Sequence, residues 1–118
     1  MWDMGRTVHY RTEQAVSSEE LKVLERIVEK YNDAFKWRLE RVKLWSSAGG
    51  PFRRGVAWGF TKVADDAEGK LVLRAVKEMS KATPGLTWLV HDEGGLTGGR
   101  KLALKRGKVA GRAGAPKR

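Results

Sequence analysis

The chain has no cysteine. That excludes disulfide bridges, thiolate catalysis and cysteine-based metal sites, and it points to a reducing, cytoplasmic setting. There are only two histidines, two tyrosines and three prolines. Uninterrupted apolar runs stop at three residues, as at Leu71 to Leu73, whereas a membrane-spanning helix needs about 20. Met1 to Thr12 holds no apolar block of the kind a secretory signal carries. No contact with a membrane is therefore expected. What is present suits a small folded protein. The 118 residues are one domain's worth, and 41% are hydrophobic, too many for a fully disordered chain. The expected organisation is a single α+β domain over residues 1–104, followed by a basic disordered tail over 105–118.

Acidic charge is also in short supply. Lys and Arg number 24 against 14 Asp and Glu, a formal net charge of +10. The excess is unevenly placed. Lys36 to Lys62 contains Lys36, Arg38, Arg41, Lys43, Arg53, Arg54 and Lys62 against the single acid Glu40. From Lys101 onward stand Lys101, Lys105, Arg106, Lys108, Arg112, Lys117 and Arg118, with no acid at all. Cationic clusters of this kind attract polyanions and release their counterions. A basic tail can also serve solubility alone.

Hydrophobic periodicity sets out the elements. Arg6 to Arg11 alternates as a short strand with Val8 and Tyr10 on one side. Ser17 with Glu20 forms a capping box ahead of Leu21, Leu24, Ile27, Val28 and Tyr31, an apolar stripe at helical spacing. This predicts a helix from about Ser18 to Asp33. Phe35 to Trp45 alternates as a second strand whose phase slips near Glu40 and Arg41, as a bulge would make it do. A Ser-Gly turn follows, and Phe52 to Val63 reads as a third strand pairing with the second in a hairpin. Asp65 is placed to cap a second helix with the stripe Leu71, Val72, Ala75, Val76, Met79 and Ala82, ended by Thr83-Pro84-Gly85. Leu86 to His91 reads as a fourth strand, and Lys101 to Leu104 as an extra edge strand.

Strand, helix, strand, strand, helix, strand is the split βαβ order. It predicts an α+β, ferredoxin-like fold with a four-stranded antiparallel sheet and both helices on one face. Right-handed crossovers make the first and third strands central. Burying a large apolar side chain contributes about 1.5–3 kcal/mol. Val8 and Tyr10, Trp37 and Leu39, Val56, Trp58 and Phe60, and Leu86, Trp88 and Val90 are therefore expected against the helices. The open face would then carry His9, Arg11, Lys36, Arg38, Ala57, Gly59, Thr61, Thr87, Leu89 and His91.

Arg54-Gly55-Val56-Ala57-Trp58 resembles the opening of the RNA-recognition-motif signature, a basic residue and Gly followed by alternating aromatic and small residues. The element order is similar too. The likeness covers about five residues. It departs at Gly59, where that family has a branched aliphatic, and at Thr61, where it has an aromatic. The resemblance implies open-face aromatics stacking on bases. The face assignment above puts Val56 and Trp58 against the helices instead, and the two cannot both hold. A buried strand with an incidental Arg-Gly is the reading adopted.

His9 and His91 share the open-face phase of neighbouring strands, with Asp92 and Glu93 beside the second. A metal or acid–base pair is one reading of them, and two surface histidines the other. Trp45 stands apart from the core-phase tryptophans, beside Lys43, Arg53 and Arg54, where an aromatic can stack on single-stranded bases. The glycine pairs match no Walker or dinucleotide pattern, and no nucleophile triad is visible. The expected function is a non-enzymatic binding module for RNA or DNA, with no catalytic residue, cofactor or metal. Lys36, Arg38, Arg41, Lys43, Trp45, Arg53, Arg54, Lys62, Lys101, Lys105, Arg106 and Lys108 would face the ligand. A small protein-interaction module is the alternative, binding an acidic protein partner or forming a homodimer through its open sheet face. An enzyme using His9 and His91 is a third reading.

Overall fold

The computed structural model describes residues 6–46, 55–92 and 101–112. Its elements are β1 (Arg6–Thr12), α1 (Ser18–Ala34), β2 (Trp45–Ser46), β3 (Ala57–Val63), α2 (Asp66–Ala82), β4 (Trp88–Asp92), β5 (Lys101–Lys105) and β6 (Lys108–Arg112). The strands form one antiparallel sheet in the order β2-β3-β1-β4-β5-β6. The first four follow the split βαβ order, consistent with a ferredoxin-like fold, but the sheet has six strands rather than four. β4 is consequently an interior strand.

The helices start where their caps are. Ser17 accepts from the Glu20 N–H at 3.1 Å while the Glu20 carboxylate accepts from the Ser17 N–H at 2.9 Å. Asp65 accepts from the Glu68 N–H at 3.0 Å. Each cap satisfies helix N–H groups that have no partner within the helix. Leu24, Ile27 and Tyr31 of α1 and Val72, Ala75, Val76 and Met79 of α2 share one core with Val8, Tyr10, Trp88 and Val90 from the sheet. Ala82, expected in that stripe, is exposed.

Two of the expected elements are also corrected. The chain after Lys105 does not begin a disordered tail: Arg106 and Gly107, both with positive φ, make a two-residue turn into β6. The turn docks on α2, where the Gly107 N–H donates to the Ser80 hydroxyl. The last six residues of the expected tail lie outside the described residues. Nor does Phe35 to Trp45 form a strand with a bulge. Only Trp45 and Ser46 pair with β3. From Lys36 to Leu44 the backbone is held by side chains instead. Asn32 bonds both the N–H and the carbonyl of Val42, and Glu68 accepts from the Arg38 N–H at 2.8 Å. Leu39, expected in the core, is 46% exposed.

The same segment decides which way β3 faces. The Tyr10 hydroxyl donates to the Lys43 carbonyl at 2.6 Å, accepts from the Lys43 N–H at 3.1 Å and lies 2.8 Å from the Thr61 hydroxyl. Burial pushes its pKa up to about 12. The ring and the Lys43 carbonyl together occupy the space over Gly59. A Cβ there would stand 2.2 Å from the Lys43 oxygen and 2.6 Å from the Tyr10 ring. Ala57, Gly59, Thr61 and Val63 therefore face the helices, and Trp58, Phe60 and Lys62 face outward. This reverses the expected orientation of Trp58 and Phe60. Val56, which precedes the strand, is buried, but outside the core cluster that the helices share with the sheet.

Gly59→Ala is expected to destabilise the fold by about 2 kcal/mol, lowering Tm by roughly 10 °C in a calorimetric or circular-dichroism melt. The Glu78 carboxylate joins the helices by accepting from Lys30 and from the Tyr31 hydroxyl, which hold its pKa below the ordinary 4.5. A depressed carboxylate contributes stability above its unfolded pKa and loses it as pH falls through the folded value. Tm measured from pH 6 to pH 3 should therefore fall less for Glu78→Gln than for the natural chain.

Candidate functional site

The sheet face away from the helices is organised by register. One row across it runs Trp45, Trp58, Arg11, Leu89 and Ala103, each directly opposite the next on neighbouring strands. The next row runs Phe60, His9, His91 and Lys101. Lys62 lies beyond Phe60, opposite Thr7. Among the described strands no acidic residue occupies this face. The one acid in them, Asp92, points into the core and is fully buried beside Arg6.

The rings form a continuous run over four strands. Trp45 lies 4.9 Å from Trp58 and 5.5 Å from Phe60, centroid to centroid. His9 lies 6.3 Å from Phe60 and 6.0 Å from His91, stacked with the latter. Lys43 follows the edge of β3, its backbone held by Tyr10 on the helix side. Its ammonium reaches round to within 4.6 Å of the Phe60 centroid and 5.9 Å of the Trp45 centroid, favourable cation–π positions. Glu40 steadies it at 3.0 Å and also accepts from the Lys62 N–H at 2.9 Å. These donors hold the Glu40 carboxyl below its ordinary range, the backbone N–H contributing most. A cavity of about 450 Å³ opens on this face, its lining including Trp58, Phe60, His9, His91, Leu89, Arg11 and Lys101. Chemically the face offers π surfaces for planar groups and cations for anionic oxygens.

The residues expected to face the ligand together are divided among several places. Lys43, Trp45, Lys62 and Lys101 border the open face, and Lys105 follows in the same strand phase. Arg38 is instead drawn to the start of α2, where Asp65 binds it directly and Glu68 lies at 3.5 Å. Arg41 lies in a groove beside Glu25, Glu29 and Asp33 of α1. Arg106 lies in the turn that docks on α2 and Lys108 follows it, and Lys36 is exposed after α1. Arg53 and Arg54 lie outside the described residues. The basic hairpin is thus not a single patch.

His9 and His91 do neighbour each other, as their shared phase implied. Asp92 does not join them, because it belongs to the other face, and Glu93 is outside the described residues. Among the described residues no three His, Asp or Glu gather into a potential metal site. The reading that made Trp58 a core residue missed the aromatic run. Its signal was present in Gly55, Ala57 and Gly59, three small residues in one strand phase, opposite a Tyr whose hydroxyl needs a partner if buried. Of the two incompatible placements of Trp58, the one implied by the short RNA-recognition-motif likeness is observed.

No helix among the described residues is long and apolar enough to cross a membrane. The chain matches no protein-family model, no curated protein and no solved structure.

One prediction follows from the way Lys43 is held. Glu40→Gln removes the carboxylate that fixes Lys43 over Phe60. The expected result is a changed tryptophan emission from Trp45 with little change in far-ultraviolet circular dichroism.

Proposed function

We propose that the protein binds nucleic acid through the open face of its sheet, with bases stacking on the aromatic run and phosphates meeting the surrounding cations. The observation that carries this reading is the contiguity of Trp45, Trp58, Phe60, His9 and His91 with Arg11, Lys43, Lys62 and Lys101 on one face. Aromatic side chains beside cations are the arrangement that holds flexible nucleic-acid strands, because every base has a π face and every nucleotide a phosphate. The net charge of +10 supports a polyanionic partner over a basic or neutral one.

The likeness of Arg54 to Trp58 to the opening of the RNA-recognition-motif signature agrees with this reading. It spans five residues and assigns no family. No sequence-specific contact is part of the proposal, since phosphate contacts position a ligand without reading it.

Binding is expected to weaken with salt, log K falling with log salt at a slope near −2 to −3 for three or four phosphate contacts to a single strand. Trp45→Ala should weaken binding about ten-fold, in keeping with the loss of one stacked base. Fluorescence anisotropy with labelled oligonucleotides over a salt series measures both. Absence of binding by the full chain at low salt would remove the proposal. A chain that binds no oligonucleotide yet sediments as a dimer would assign the face to a second copy instead.

A further inference from the structure

We infer, resting on the nucleic-acid reading above, that the open-face cavity is a subsite for one nucleotide turned out of its stack. Its base lies at the Phe60 and His9 end and its phosphate at the Lys101 end. The occupant is therefore a single strand, and free nucleoside 5′-monophosphates compete for the same place.

Three observations lead there. The first is shape. A flat stacking platform has no need of a recess, yet a cavity of about 450 Å³ opens among these rings, within the range of small-molecule sites. Part of its lining is apolar, because Leu89, in the row next to the imidazoles, is nearly buried.

The second is polarity. Phe60, His9, His91 and Lys101 stand opposite one another on four adjacent strands. Strands are spaced about 4.8 Å apart, so the row extends roughly 14 Å from the Phe60 ring, where the Lys43 ammonium is already paired with Glu40, to the Lys101 ammonium. A nucleotide has the same asymmetry, a planar base at one end and a phosphate at the other. Arg11, one row away between Trp58 and Leu89, supplies a second cation beside the middle of the cavity.

The third is the histidine pair. Two imidazoles 6.0 Å apart stand at the centre of the row, where a ring N–H can donate to a phosphate or base-edge oxygen and a bare ring nitrogen can accept from a base-edge N–H. A base inside a duplex has both faces covered by its neighbours. It can reach this recess only by leaving the stack, which costs pairing and stacking energy that a single strand does not spend.

The test is competition. A labelled single-stranded oligonucleotide is bound to the full chain. Displacement is then followed with adenosine or uridine 5′-monophosphate, with the corresponding nucleoside, and with an unlabelled duplex. The monophosphates should displace the strand, the nucleosides should do so at least about ten-fold less well, and the duplex should compete poorly. Lys101→Ala and His91→Ala should each weaken the monophosphate about ten-fold, and Lys101→Arg should largely restore it. Circular dichroism of each variant confirms that it is folded.

If the oligonucleotide binds but no monophosphate displaces it, the subsite is refuted and the open-face reading survives. A duplex that competes as well as the single strand also refutes the subsite. If monophosphates bind by tryptophan fluorescence while no oligonucleotide does, the nucleic-acid reading is refuted and the cavity is a site for free nucleotides. Binding of neither overturns both.

Discussion

The contact on which this structure depends is the Tyr10 ring lying over Gly59, with its hydroxyl fixed to both polar atoms of the Lys43 backbone. Tyr10 faces the core because β1 alternates with Val8 and Thr12 on the same side. A side chain on the β3 residue opposite would collide with its ring. That residue is glycine, and the period of two along a strand does the rest. Once Gly59 faces inward, Trp58 and Phe60 face outward. An aromatic surface thus appears on the side of the sheet that the helices leave uncovered.

The segment from Lys36 to Leu44 is the other half of this constraint. An edge strand would have satisfied its backbone by a ladder of bonds to β3. Here Asn32, Tyr10, Thr61 and Glu68 supply partners one at a time. Every buried backbone group needs such a partner, and side chains serve as well as a ladder if they are aimed correctly. The arrangement lets the chain fold over the helix-facing side of β3, bury Val42 and still deliver Lys43 to the opposite face. It also disperses the cations of the segment, because Arg38 and Arg41 are carried toward the acids of α2 and α1 rather than toward β3.

Much of the architecture could be read from residue order. Both helices carry a single apolar stripe and a side-chain cap, and their starts were legible at Ser17 and Asp65. β1 and β4 were legible because Val8 and Tyr10, and Trp88 and Val90, stand in one unambiguous phase. The facing of β3 was not legible from size. The rule that the largest side chains go inward assumes that the inward volume is empty, and Tyr10 with the Lys43 backbone had already filled it. The strand reading of Phe35 to Trp45 failed for a related reason. Its alternation comes from Phe35 and Trp37 packing at the core's margin, a pattern that a side-chain-held loop also produces. β6 escaped notice because Val109 is its only large apolar residue. In the candidate site, Trp45, Lys43, Lys62 and Lys101 were legible as cations and an exposed ring. Trp58 and Phe60 were hidden by the same error of facing.

The two margins of the sheet are finished differently. At one, β2 is only two residues long, and the rest of the β3 edge is overlain by a segment tied to it by the Lys62 N–H donating to Glu40 and the Thr61 hydroxyl donating to the Arg41 carbonyl. At the other, β6 ends the sheet and begins with a lysine set against Lys105 of its partner strand. A bare strand border invites a foreign strand to zip onto it, and both a truncated border and a positively charged one discourage that. Copies of this chain meeting border to border would find too little ladder at one side and mutual repulsion at the other. Growth of the sheet into a fibre is obstructed at both ends, and the broad aromatic side lies between those borders on the face that the helices leave uncovered.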